Sequence, residues 1–168
     1  MKHLLMIHLL FWAGLAHGDE KKNQFKVAGK TFEAPIIWKV EKPSSRMRKA
    51  QYKSGKTEIV VFYFGAGQGG GVEANASRWF SQFKEPKDKL SAKVEKVEIK
   101  KSKITTVSAR GTYMSGPPFG QKVPTPDHAL RGAIIECEGG PIFIKMTGPI
   151  DEVLSFAKDF DKTVRSGL

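Results

Sequence analysis

Reactive side chains are scarce in this chain. It holds one cysteine, Cys137, and four histidines, of which His3, His8 and His17 fall in the first 18 residues. If that segment is removed, as argued below, the single histidine left is His128. One thiol and one imidazole exclude an intramolecular disulfide, a Cys/His zinc site and any site needing two histidines from one subunit. A Gly-x-Ser-x-Gly nucleophile elbow is absent. No Lys-Ser or Lys-Thr follows the glycines of 65–71, so that run is not a P-loop. Calcium-loop spacing is absent too, and no catalytic residue, metal site or cofactor is expected. Long apolar runs are also missing: the longest, Leu4 to Ala16, falls short of the roughly 20 residues that span a bilayer.

What that run does resemble is an export signal. Met1-Lys2-His3 is basic, Leu4–Ala16 is almost wholly apolar, and Ala16 and Gly18 are small residues just ahead of Asp19-Glu20-Lys21-Lys22. This order predicts a signal peptide over 1–18 cleaved after Gly18, an exported (periplasmic or extracellular) protein, and one domain over 19–168 with no transmembrane segment. No cysteine follows the cleavage site to carry a lipid. Residues 1–18 contain one lysine and no acid, so 27 basic residues face 17 acidic ones in the mature chain, a balance of +10. Such a charge favours an anionic partner: an envelope polymer, lipid head groups, nucleic acid or an acidic protein.

Periodicity gives the elements. Gln24 to Phe32 reads as two short strands around Ala28-Gly29-Lys30, and Ile36 to Val40 as an extended stretch anchored by Trp38. In Met47 to Lys53, alternation sets Arg48, Ala50 and Tyr52 on one face. Glu58 to Phe64 is an apolar run expected to be a central strand. The glycines 65–71 lead into an amphipathic helix over Val72–Phe83, with Ala76, Trp79, Phe80 and Phe83 on its apolar stripe. Val94 to Ile99 alternates as a charged edge strand, and Ile104 to Met114 is another. Ser115 to His128, with four prolines, is expected to be a 14-residue loop. Ala129 to Glu138 and Ile142 to Thr147 form a hairpin that Gly148-Pro149 stops. A helix over Asp151–Arg165 closes the chain. Hairpin-length links make this an α+β fold: a mostly antiparallel sheet packed with two main helices in layers.

The order of these elements, with Ile36-Ile37-Trp38 after a proline-containing lead and Lys145-Met146-Thr147-Gly148-Pro149 before the last helix, resembles the PsbP-type fold. That group includes an extrinsic subunit of the photosystem II oxygen-evolving complex, a Ran-binding import factor and many exported bacterial proteins of unknown role. The resemblance implies a non-enzymatic binding or accessory role. It transfers no site residue, because the group shares a scaffold and not an active site.

Candidate binding residues therefore come from the loops. Gly65-Ala66-Gly67-Gln68-Gly69-Gly70 fits GxGxxG between a strand and a helix, and Gly67, Gly69 and Gly70 could present backbone donors to an anion. Dinucleotide binding is not expected, because the preceding strand does not open a parallel βαβ unit and Glu85, 20 residues on, lies in a loop. Phe119 is expected as an exposed aromatic in the Pro-rich loop, with His128 at its end beside Asp127. A hydrolase using His128 with Ser115 or Thr125 is the enzymatic alternative. Binding of a polyanion by the basic surface is the other. Cys137 alternates with Ala133 and Ile135 and is read as a small buried thiol. Asn75-Ala76-Ser77 is a sequon placed on a helix, where glycosylation is not expected.

Overall fold

The computed structural model describes residues 22–117 and 120–168; the expected signal peptide 1–18 and Phe119 lie outside the described residues. The chain runs β1 (Lys22–Val27), β2 (Lys30–Pro35), β3 (Lys39–Glu41), β4 (Arg48–Ser54), β5 (Thr57–Tyr63), α1 (Val72–Phe80), a 3-10 turn at Lys87–Lys89, β6 (Lys93–Ile99), β7 (Ser102–Ser115), β8 (Val123–Ile135), β9 (Ile142–Pro149), α2 (Ile150–Ser155) and α3 (Ala157–Ser166). β1 and β2 form their own hairpin. The other strands make one seven-stranded sheet, ordered β3-β4-β5-β9-β8-β7-β6, in which every pairing is antiparallel. The architecture is α+β, as the element pattern predicts.

Two apolar clusters sandwich the sheet. On one side the β1–β2 hairpin and the C-terminal helices bury Phe32, Trp38, Val153, Phe160 and Val164 against Ile59, Val61, Ile144 and Met146. On the other, Ala76, Trp79 and Phe80 of α1 pack with Phe83 and Leu90 on Val107, Ala109, Leu130, Ile134 and Phe143. The continuous apolar run of β5 follows from this: residues of both parities are covered. β6 is an edge strand with mostly exposed side chains, and its alternating lysines and glutamates deter pairing with other chains. No described helix is long and apolar enough to cross a membrane.

Five local readings need correction. Ile36 and Ile37 form a turn and are exposed, while Trp38 is buried and donates its backbone N–H to Pro35 O at 3.0 Å. Simple alternation fails in β4, where the register with β5 shifts between Arg48 and Ala50. This bulge, one residue extra on β4, moves Arg48 off the face of Ala50 and Tyr52. Helix α1 ends at Phe80, because residues 82–84 leave it to pair with β7: Met114 N–H reaches Gln82 O and Lys84 N–H reaches Thr112 O, both at 2.8 Å. The C-terminal helix is interrupted at Phe156, next to Ser155, whose hydroxyl donates back to Glu152 O at 2.8 Å; such back-bonding competes with the helical ladder.

The fifth correction concerns the expected loop 115–128. Val123–His128 belongs to β8, and only residues 116–122 connect the strands. β7 and β8 outrun the sheet as a ribbon, with Ser115 opposite Val123 and Met114 opposite Pro124, while β9 joins β8 only from His128 onward. Residues 123–127 therefore have an unpaired edge, where proline costs no ladder hydrogen bond.

Candidate functional site

Helix α1 has nine residues, about 13 Å at 1.5 Å per residue, and covers only part of its side of the sheet. The register places Phe62, Val60 and Glu58 of β5 opposite Phe143, Lys145 and Thr147 of β9. Gly132 of β8 lies beside Lys145 and receives the Trp79 ring: a Cβ at 132 would come within 2.1 Å of Trp79 Cζ3. Beyond that ring the same face is uncovered and turns polar. A cavity of about 680 Å3 opens there, between β4, β5 and β9 on one side and the β7–β8 ribbon on the other.

Lys145 is central to it. Its half-buried side chain sends Nζ to Gln82 Oε1 at 3.0 Å and Tyr113 Oη at 3.3 Å, with the ammonium 5.8 Å from the centre of the Tyr113 ring. Loss of hydration brings the ammonium down to about 8, and nearby Arg48 and Lys122 push the same way against Glu58. Burial raises the Tyr113 hydroxyl to about 12, helped by Glu58, so the phenol stays protonated and donates to Gln82 Oε1 at 2.8 Å. The bulge in β4 brings Arg48 to this face, where Nη1 meets Glu58 Oε1 at 2.7 Å. Gln51 donates to the same oxygen at 3.1 Å. Lys122 Nζ donates to Gly116 O at 3.0 Å on the ribbon turn. Arg48, Lys56, Lys122 and Lys145 thus stand around one carboxylate, Glu58.

Of the sequence-predicted residues, His128 lies in this cavity wall and not in a loop. A second register shift, between Gly111 and Tyr113, coincides with Asp127 at φ 52°, and His128 stacks on Tyr113 with ring centres 6.4 Å apart. Its Nδ1 lies 2.8 Å from Pro126 O. That carbonyl fixes the proton on Nδ1 and leaves Nε2 as the acceptor of the neutral ring. Thr125 Oγ1 donates to Ser115 Oγ at 2.8 Å; among the described residues no hydroxyl or thiol bonds to the imidazole.

Gly67, Gly69 and Gly70 lie at the other end of β5, after Tyr63, with φ of 69°, 83° and 78°. There the buried Asn75 amide donates to Gly69 O at 2.8 Å and Gly71 O at 2.9 Å, and Arg78 Nη1 donates to Asn75 Oδ1 at 3.0 Å. The loop thus turns carbonyls inward onto Asn75, which accounts for the sequon position structurally. Glu73, in the first turn of α1, is paired with Lys96 at 3.0 Å, and that hydrogen bond holds its carboxyl below the ordinary range. Glu85 accepts the Thr112 N–H at 2.9 Å, which likewise lowers its carboxyl. Cys137 is half-buried just past β8, with its thiol raised by desolvation.

Sequence reasoning missed Lys145, Arg48, Gln82 and Tyr113. A signal existed for one of them. Lys145 interrupts Ile142-Phe143-Ile144-Lys145-Met146, and a lysine amid buried strand residues needs somewhere to put its charge.

No family model and no curated protein matches this chain by sequence. Among solved structures, the solution structure of cyanobacterial PsbP (CyanoP) from Synechocystis aligns over 90% of this chain and 94% of that one, with a TM-score of 0.57 and 12% identity. A crystal structure of a Pseudomonas aeruginosa protein of unknown function aligns over 88% and 96%, with a TM-score of 0.43 and 10% identity. The strand order, the layers and the cyanobacterial neighbour agree with the resemblance read from the sequence: this chain has the PsbP-like fold.

Proposed function

We propose that the protein is an exported, non-enzymatic accessory module that binds an acidic element of a partner through the open half of its sheet. The observation that carries this reading is the cavity wall, where four basic side chains surround one carboxylate already engaged by Arg48. Electrostatic complementarity of that kind steers and orients an acidic partner. Phe119, three residues before Lys122 in the sequence, is proposed as an aromatic contact to the same partner. The Gly-rich loop, at the other end of β5 with its carbonyls engaged by Asn75, lies outside this docking face. His128 serves as wall, stacked on Tyr113, and not as a general base, because neither Ser115 nor Thr125 is bonded to it.

The rival explanation for anion binding is overall basicity, and charge-matched variants separate the two. Lys56→Glu with Lys122→Glu reverses two exposed cavity charges; Lys89→Glu with Lys158→Glu reverses two exposed charges elsewhere. On immobilised poly-glutamate, the cavity pair should bind about tenfold or more weakly than the control pair, roughly 1.4 kcal/mol. Equal weakening of both would overturn the docking reading in favour of a diffuse basic surface.

A further inference from the structure

Lys145 is an ammonium placed where a globular protein rarely leaves one without a counter-ion. It sits in the middle of a strand, between Ile144 and Met146, both fully buried. Its three N–H donors meet two protein acceptors, Gln82 Oε1 and Tyr113 Oη, and both are neutral. Among the described residues no carboxylate pairs with it. Glu58 faces the same cavity, but its Oε1 takes both Arg48 and Gln51. A desolvated charge hydrogen-bonded only to neutral groups, with Glu58 acting on it only through space, costs stability, and a protein with no use for it gains by substituting a methionine. The surrounding wall is mixed: Glu58 offsets part of that cost through space, while Arg48 and Lys122 add to it. The cavity in front of the ammonium is large enough for a small organic ligand.

We propose that this cavity is a binding site for a small oxyanion, a carboxylate or phosphate head group, which seats against Lys145 Nζ with Lys122 and Arg48 at its flanks. The anion supplies the third acceptor and the directly contacting charge, which Glu58 gives only through space, and Gln82 and Tyr113 hold the ammonium from the protein side. Because Arg48 keeps its bond to Glu58, the ligand adds to the cluster without dismantling it. This inference rests on the docking reading above and names the group that the partner or a free ligand would present.

The test uses the mature protein with 13C-labelled lysine, titrated separately with inorganic phosphate and with succinate at pH 7 while the Lys145 side-chain signal is followed by NMR. Saturable movement of that signal below about 20 mM, a free energy of a few kcal/mol, is the expected result. Response to phosphate alone assigns a phosphate group, response to succinate alone a carboxylate, and response to both a general oxyanion site. Lys145→Met, which keeps the strand's packing volume, should abolish the binding, measured by calorimetry for this variant. Lys122→Gln should weaken it about threefold or more with the fold unaffected. A Lys145 signal that neither probe moves, or wild-type affinity in Lys145→Met, overturns the inference. If that happens while Lys56→Glu with Lys122→Glu still loses poly-glutamate, the docking face stands and only the small-anion site falls. If the probes bind at Lys145 but both charge-reversed pairs hold poly-glutamate equally, the anion site stands without the docking face.

Discussion

The indole of Trp79 lies directly on the backbone of Gly132, with no room between them for a methyl group. This contact decides where α1 stops covering the sheet, because Gly132 is the register neighbour of Lys145. On one side of it the face is apolar core; on the other it is the cavity.

Gly132→Ala should therefore destabilise by overpacking, roughly 1–3 kcal/mol. Trp79→Ala should cost roughly 3–5 kcal/mol by leaving a cavity, and so should Phe160→Ala on the opposite face, where the ring is fully buried. Urea unfolding measures all three. A loss under about 1 kcal/mol for either aromatic would mean that its helix does not anchor the sheet.

Lys145 should make stability rise with pH. Its folded value of about 8 lies below the ordinary 10.5, so the folded state binds this proton less tightly than the unfolded state. Below about pH 8 both states are protonated and the cost is fully present. Between 8 and 10.5 the folded protein sheds the proton first, and the cost, about 3 kcal/mol at most, is relieved. The stability of wild type relative to Lys145→Met should climb over that window in denaturant titrations. A flat difference would show that the ammonium is well solvated after all.

Asn75→Ala should loosen the Gly-rich loop without touching the cavity. It removes two hydrogen bonds to loop carbonyls and one from Arg78, a loss of about 1–3 kcal/mol for a buried amide. Retention on poly-glutamate should stay unchanged. A parallel loss of retention would return the recognition role to Gly67, Gly69 and Gly70.

Much of the fold was legible because its elements are locally consistent. The continuous apolar run Glu58–Phe64, the helical stripe of Trp79 and Phe80 and the alternation of Val94–Ile99 are each visible in a local window, and the structure makes each the expected element. The site was less legible because it is built from irregularities. Arg48 reaches the cavity through a bulge, Gln82 through a helix that ends a turn early, and His128 through a second register shift beside a residue of positive φ. Each irregularity is fixed by a distant pairing, which no local window records. Pro124 and Pro126 were a sound signal for non-central backbone, and that backbone is an edge ribbon instead of a loop.

The account stands on the claim that anion recognition belongs to the open half of the α1 side of the sheet. The most direct measurement is an NMR map of backbone amide shifts as a short poly-glutamate peptide is titrated into the protein lacking residues 1–18. The account predicts that the largest shifts fall in residues 113–115, 122–128 and 145–148, with β6 and the glycines 65–71 little changed. Shifts concentrated in the lysine-rich segment 84–103, or in the Gly-rich loop, would contradict it.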